Sequence, residues 1–176
     1  MEPILLAGIG NVLTGDDAVG PTAVKLLEAW WELGPEVAVV EAGTPGMDLV
    51  LALEMKRCAI IVDAVRAPGT PGEIRCFDKA ALLRQTSGLT LSPHEPGLQD
   101  ALRRLEFFGT GPLEVAFIGV IPGTLETGVG LSAKVLAALP RVAERVLLEL
   151  SKRGVTARPR RRPLAPDLWW QQQPVP

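Results

Sequence analysis

Four side chains that can bind a cation or transfer a proton lie in or next to turns of the sequence. Asp16 and Asp17 follow a short apolar run and a glycine-bearing turn, and Asp63 interrupts a second apolar run near its end. His94, the only histidine, lies in a turn containing proline and glycine, just before an amphipathic segment. An imidazole and two carboxylates are a common ligand set for a divalent ion. These residues predict a metal site or a site of proton transfer.

Each of these residues also has a structural interpretation. An Asp at a helix start accepts backbone N–H bonds and favours the positive end of the helix dipole, so Asp16 or Asp17 could be a cap. Both cannot cap the same helix in the same way, which leaves one carboxylate over. Asp63 could form a turn, and a lone histidine is usually a surface or core residue. We favour function for Asp63, because both acidic clusters would lie at one edge of a parallel sheet.

The turn after the first apolar run resembles a phosphate cradle only superficially. A dinucleotide fingerprint requires three glycines, and Leu13 stands where the third should be after Gly8 and Gly10. The carboxylates of Asp16 and Asp17 would also repel a phosphate. A nucleotide-binding α/β domain therefore remains an alternative that the sequence disfavours.

Apolar periodicity predicts strands and helices that alternate along most of the chain. The run 59–65 is apolar on both faces, as in a central parallel strand. Pro140 should kink or divide the last predicted helix. The predicted strands are 4–7, 37–40, 59–65, 73–77 and 113–121, and the predicted helices are 18–31, 47–55, 80–83, 98–107 and 131–150. This order indicates a parallel sheet with crossover helices.

Composition excludes several classes of protein. The chain has 176 residues, enough for one domain with a sizeable core. Its net charge of −2 lacks the basic field of a nucleic-acid-binding protein. We expect no membrane span and no secretory signal, and Cys58 and Cys76 fit a reducing compartment, so we predict a cytoplasmic protein.

The composition changes after Gly154. The following segment is rich in proline and contains the run 160–162 of three arginines and the pair Trp169-Trp170. Such a segment cannot build a core of its own. We predict one α/β domain over residues 1–154 and a tail over 155–176, which is either disordered or docks its tryptophans on the domain or on a partner.

Five segments together resemble the nickel–iron hydrogenase maturation endopeptidases. They occur in that family's order and lie within residues 4–150. They are Gly8–Leu13 with Asp16-Asp17, Glu41 with Gly43–Met47, Ile61–Ala64, Ser92–His94 with Gly97-Leu98, and Ile118–Pro122. Two positions depart from the family pattern: some relatives have Glu where this chain has Asp17, and Ala18 replaces a residue that is often Gly.

The resemblance implies a fold, a reaction and a site. The fold is a three-layer, twisted, mainly parallel sheet of about five strands flanked by helices. The reaction removes the C-terminal extension of a hydrogenase large-subunit precursor after nickel insertion, and the nickel belongs to the precursor. The family's catalytic and metal-binding positions correspond to Asp17, Asp63 and His94. The segment that chooses the substrate corresponds to Glu41, Gly43, Thr44 and Gly46.

Two mechanisms and one further function remain open at this stage. Nickel could polarise the scissile carbonyl or activate water, or a carboxylate could act as general base. A Ser–His–Asp or Cys–His nucleophile would have to use His94. The same three ligands would also serve a chaperone that binds the nickel-loaded precursor without cutting it, and a cleavage assay separates the two functions.

Overall fold

A central sheet organises the computed structural model of the chain, which describes residues 4–44, 46–84, 90–91 and 95–171. The strands are β1 (Ile4–Ile9), β2 (Trp31–Glu32), β3 (Val37–Gly43), β4 (Cys58–Arg66), β5 (Ile74–Asp78), β6 (Thr90–Leu91), β7 (Glu114–Val120) and β8 (Arg158–Pro159). The helices are α1 (Val19–Trp30), α2 (Met47–Leu53), α3 (Lys79–Arg84), α4 (Glu95–Phe108), α5 (Ala133–Leu136) and α6 (Leu139–Lys152). A 3-10 helix over Gly15–Ala18 precedes α1, and another covers Trp169–Gln171.

The main sheet has the strand order β3-β1-β4-β7-β5. The first four strands are parallel, and β5 is antiparallel to β7 at one edge. The short strand β6 pairs with β4 in antiparallel orientation. The five-stranded, mainly parallel sheet is confirmed. Its carboxyl edge, defined by the ends of β1, β3, β4 and β7, carries the turns of interest.

Two hydrophobic layers hold the helices on the two faces of the sheet. Successive residues of β4 alternate between them: Ile60 packs with α1 and α6, and Ile61 packs with α2, α3 and α4. Both side chains are fully buried. Since burial of such a side chain contributes about 2 kcal/mol, these alternating contacts fix the register of the central strand. The three-layer architecture is therefore confirmed.

The helix boundaries show where local chemistry overrides a periodic pattern. The expected helix 131–150 is divided into α5 and α6, and Pro140 occupies the first turn of α6, where a missing N–H is tolerated. The expectation that Trp31 ends the first helix is wrong, because this residue pairs with Pro159 in the small sheet β2–β8. The helix expected over 47–55 ends at Leu53, and Met55 adopts a φ of 57°.

The described part of the last segment contacts the domain through β8 and Trp170, which is buried. The domain boundary at residue 154 stays a prediction. Among the described helices, none is long and apolar enough to cross a membrane.

Candidate active site

Close backbone packing shapes the turn that follows β1. A Cβ added to Gly20 would lie 2.2 Å from the carbonyl oxygen of Ile9 and 2.4 Å from that of Val62. A Cβ on Gly8 would lie 2.3 Å from the carbonyl oxygen of Gly20. Glycine at both positions therefore lets the start of α1 rest directly on the ends of β1 and β4. The first glycine-bearing turn serves helix–sheet packing.

Asp17 is fixed by the same turn. Its carboxylate Oδ2 accepts a 2.7 Å hydrogen bond from the backbone N–H of Asn11, and the residue is 1% exposed. Gly10 adopts a φ of 137°, and a Cβ there would lie 1.8 Å from the carbonyl oxygen of Asp17. The turn thus closes tightly over this aspartate, and its carboxylate is held by a neutral donor.

Asp63 lies near the end of the central strand β4. It is 2% exposed, and its Oδ1 accepts a 2.7 Å hydrogen bond from the N–H of Ala64. Its register partner on β7 is Gly119. The 3-10 helix that carries Asp17 contacts β4, so the structure brings both carboxylates to the carboxyl edge of the two central strands. In open α/β sheets, ligands bind in a crevice at the carboxyl ends of the strands.

Asp16, adjacent in sequence, is fully buried and has a different role. Its Oδ2 accepts hydrogen bonds from the N–H groups of Gly123 at 2.7 Å and Thr124 at 3.0 Å, and from the hydroxyl of Ser132 at 2.8 Å. Its Oδ1 accepts a 2.6 Å bond from the N–H of Ser132. Asp16 therefore ties the loop 122–132 to the turn after β1.

The capping interpretation is wrong for Asp16, because all four of its hydrogen bonds go to the distant loop 122–132. Thr14 and Ala18 occupy the N-cap positions of the 3-10 helix and of α1, and neither makes a side-chain cap hydrogen bond. Asp17 accepts its described bond from Asn11, which precedes both helices. The described hydrogen bonds therefore give Asp16 a structural role through a long-range contact.

The backbone amides of the first turn are already occupied. The N–H of Gly10 donates to the carbonyl of Gly43, that of Asn11 to Asp17, and that of Leu13 to the side chain of Asn11. A phosphate cradle needs several such amides directed at the ligand. The turn therefore lacks the donors of a dinucleotide site, which agrees with the missing third glycine.

His94, the third predicted ligand, lies outside the described residues, together with Ser92 and Pro93. Within the ranges that the structure does describe, no three His, Cys, Asp or Glu side chains form a group that could hold a metal ion. The ligand set of Asp17, Asp63 and His94 therefore stays a prediction. Helix α4 begins at Glu95, directly after the histidine.

The predicted substrate-recognition segment lies beside this site. Gly43 on β3 is the register partner of Ile9 on β1, so Glu41, Gly43 and Thr44 follow the same sheet edge as Asp17. Gly43 adopts a φ of 53°, which favours glycine. A Cβ on Gly46 would meet nothing within 4 Å. Packing against the described residues therefore does not demand glycine at position 46, which is exposed.

Neither cysteine has the environment of a catalytic thiolate. Burial raises the pKa of the Cys58 thiol, outweighing the opposing effect of Arg153, and burial likewise raises the pKa of Cys76 despite nearby Arg145. Cys58 begins β4 and so lies at the opposite end of that strand from Asp63. Since reactive cysteines need a lowered pKa, neither thiol is suited to covalent catalysis.

The chain matches the family model HycI, hydrogenase maturation protease, over residues 21–149. The chain belongs to the hydrogenase maturation protease family. Hydrogenase 2 maturation protease of Escherichia coli K12 is 37% identical over 161 residues, covering 89% of this chain and 96% of the relative. The hydrogenase expression/formation protein HupM of Azotobacter chroococcum is 34% identical over 158 residues, covering 89% and 76%.

The fold agrees with that assignment. The hydrogenase maturating endopeptidase HybD from E. coli superposes with a TM-score of 0.83 at 35% identity, covering 90% of this chain and 98% of that one. The predicted membership of the family and the predicted endopeptidase activity are confirmed. The family match ends at residue 149, so the segment that contains Trp169 and Trp170 lies outside it.

Two contacts of the site were missed by sequence reasoning. The bond from Ser132 to Asp16 joins residues far apart in the chain, and no local pattern predicts it. The second is a hydrogen bond from the indole Nε1 of Trp169 to Glu41. The only signal in the sequence was the Trp169-Trp170 pair in an otherwise coreless segment, and no chemistry had been assigned to it.

Proposed function

We propose that this maturation protease removes the C-terminal extension of a nickel–iron hydrogenase large-subunit precursor in the cytoplasm. We further propose that Asp17, Asp63 and His94 bind the nickel that the precursor already carries. The observation that carries the proposal is the pair of buried aspartates at the carboxyl ends of β1 and β4. A buried carboxylate is costly unless it is bonded or binds a cation.

The donor set suits a cation supplied by a substrate. The described donors to Asp17 and Asp63 are the backbone amides of Asn11 and Ala64. Backbone amides such as these orient the carboxylate oxygens, and carboxylate oxygens are ligands for divalent metal ions. Imidazole with two carboxylates suits a borderline divalent ion such as nickel.

The available nucleophiles favour hydrolysis by water. The two thiols have raised pKa values, and the single histidine would have to serve any serine nucleophile while also binding the metal. In the proposed reaction, water attacks the scissile carbonyl and passes a proton to one of the site carboxylates. That proton then goes to the leaving amine nitrogen as the peptide bond breaks.

The open segment beside the site supports binding of an extended chain. Gly46 and Thr44 are exposed after the end of β3, and a Cβ on Gly46 would meet no described atom within 4 Å. A precursor backbone can therefore approach closely there. We propose that Glu41, Gly43, Thr44 and Gly46 select the precursor, while the aspartates bind its nickel.

A cleavage assay tests the proposal. Purified protein is incubated with nickel-loaded and with nickel-free large-subunit precursor, and the released extension is followed by mass spectrometry. Cleavage of the loaded precursor alone is the expected result. Cleavage of both forms would retain the protease and refute the role of nickel. Binding of the loaded precursor without cleavage would favour the alternative of a non-cleaving, nickel-dependent chaperone.

A further inference from the structure

The last described segment of the chain returns to the site. After β8 pairs with β2, the N–H of Arg160 donates to the carbonyl of Trp30 at 2.8 Å, and the N–H of Leu164 donates to that of Ala29 at 2.9 Å. The guanidinium Nε of Arg160 donates to the carbonyl of Glu28 at 3.1 Å. These contacts attach the segment to the end of α1. The chain then continues to Trp169 and Trp170, beside the start of α1.

Trp170 anchors the segment at the turn that carries the aspartates. It is 7% exposed and packs against Val12 and Ala18, which flank Asp16 and Asp17 in the sequence. Burial of so large an aromatic side chain stabilises the docked position of the segment. The segment therefore packs on the turn that carries Asp16 and Asp17.

Trp169 points the other way and meets the recognition segment. It is 54% exposed, and its ring packs edge-to-face on that of Trp170, with centroids 5.6 Å apart and planes at 89°. Its indole Nε1 donates a 3.2 Å hydrogen bond to Oε2 of Glu41 at the end of β3. A hydrogen bond from an N–H to a carboxylate restricts the rotamers of the acidic side chain.

We propose that Trp169 is a positioning residue for precursor recognition, which holds the Glu41 carboxylate toward the carboxyl edge of the sheet. The inference rests on the proposed function, since Glu41 acts there on the precursor. The exposed indole face beside Glu41 adds apolar surface to the same recognition area. Trp169 lies outside residues 21–149, which match the family model.

Steady-state cleavage of nickel-loaded precursor by four variants tests the proposal. Trp169→Phe keeps the ring but removes the N–H, and we expect KM to rise about threefold to tenfold with kcat within about twofold. Glu41→Gln should raise KM similarly. If the two side chains act through one contact, the double variant should be no worse than the worse single variant, because coupled residues are not additive.

Trp170→Phe is the matched control. Among the described residues, the indole N–H of Trp170 has no hydrogen-bond partner, so its removal breaks no such bond. We expect a lower melting temperature from lost packing, with KM within about twofold. A rise in KM for this variant equal to that of Trp169→Phe would overturn the proposal, because it would indicate a general effect of the segment.

The outcomes separate this inference from the proposed function. Normal cleavage by the wild type, with an unchanged KM for Trp169→Phe or with additive effects of Trp169→Phe and Glu41→Gln, refutes the inference alone. If the wild type binds the precursor without cutting it, the proposed protease function fails. The same variants are then compared by their Kd for the precursor, and the same fold-changes and non-additivity are expected. If the wild type neither cuts nor binds the precursor, both proposals fail.

Discussion

Buried carboxylates at the two ends of the central sheet have different hydrogen-bond donors. At the carboxyl edge, the carboxylate of Asp16 accepts three hydrogen bonds from backbone amides and one from a hydroxyl. At the amino edge, the carboxylate of Glu149 on α6 contacts three positively charged side chains. The atoms are Nζ of Lys152 at 2.9 Å, Nη1 of Arg153 at 2.7 Å and Nη2 of Arg145 at 3.4 Å. Neutral donors fix a carboxylate in place, whereas cations also cancel its charge.

This difference indicates how each end is used. Asp17 and Asp63 are buried at the same carboxyl edge as Asp16, and each accepts a hydrogen bond from a backbone amide. The amino edge is closed by ion pairs, including one between Arg153 and Glu114 at the start of β7. We therefore expect substitutions at the carboxyl edge to affect activity, and substitutions at the amino edge to affect stability.

The largest effect is expected from Asp63→Asn. The substitution keeps the size of the side chain but removes its charge, so the affinity for precursor nickel should fall and processing should slow about a hundredfold or more. The melting temperature should change by only a few degrees. His94→Ala is expected to behave in the same way. Normal maturation of the hydrogenase by both variants would show that the site is assigned wrongly.

Asp16→Asn should affect both properties. An amide nitrogen in place of Oδ2 would face the N–H groups of Gly123 and Thr124, and an unmet buried donor costs about 1–3 kcal/mol. We expect a loss of about 2–3 kcal/mol in the free energy of unfolding, measured with urea, and slower cleavage because the loop 122–132 shifts. Ser132→Ala, which removes one bond to Asp16, is the milder control, at about 1 kcal/mol. Equal stability of Asp16→Asn and the wild type would contradict this role.

Glu149→Gln should lower stability alone. It leaves Arg153 and Lys152 without their carboxylate, at an expected loss of about 1–2 kcal/mol in the free energy of unfolding, because Lys152 is half exposed and water can solvate it. The rate of precursor cleavage should equal that of the wild type. A large loss of activity with unchanged stability would contradict the expectation that the amino edge of the sheet serves stability alone.

The smallest effect is a pH dependence that Glu149 contributes. Burial raises the pKa of this carboxyl, but hydrogen bonds from Lys152 and Arg153 outweigh it, and the pKa lies below its ordinary value. A lowered folded-state pKa gives stability that is present above the unfolded-state pKa, about 4–5, and is lost as the pH falls through the folded-state value. The melting temperature of the wild type should therefore drop more steeply below about pH 4 than that of Glu149→Gln. Parallel curves would exclude this contribution.

Local patterns predicted β1, β3, β4 and β7 because each of these strands contains an apolar run near turn residues. β4 is buried over Cys58–Val65, and a continuous apolar run of this length is typical of a central parallel strand. Periodicity could not show that Trp31 leaves its helix, because its partner Pro159 is far away in the chain. Helix ends and small sheets depend on such tertiary contacts, which outweigh local propensity.

The site was predictable where its residues follow strands, and obscure where they act across the fold. The positions of Asp17 and Asp63 follow from the rule that parallel strands end at one edge. Which of two adjacent aspartates is structural depends on Ser132 and the loop 122–132, and the sequence contains no local sign of that pairing. The contact between Trp169 and Glu41 was hidden for the same reason.

The bonds of Asp16 also determine when during synthesis the site can exist. The turn after β1 is synthesised early, but the loop that bonds to it extends to Ser132. A bridge between Thr14 and Gly128 joins the same turn and loop a second time. Bringing together two segments so far apart in the chain costs conformational entropy. That cost is offset only when the intervening strands pack. A nascent chain that stops before this loop therefore lacks the hydrogen-bond partners of Asp16. We expect the turn that carries the aspartates to be fixed in place only after synthesis has passed Ser132.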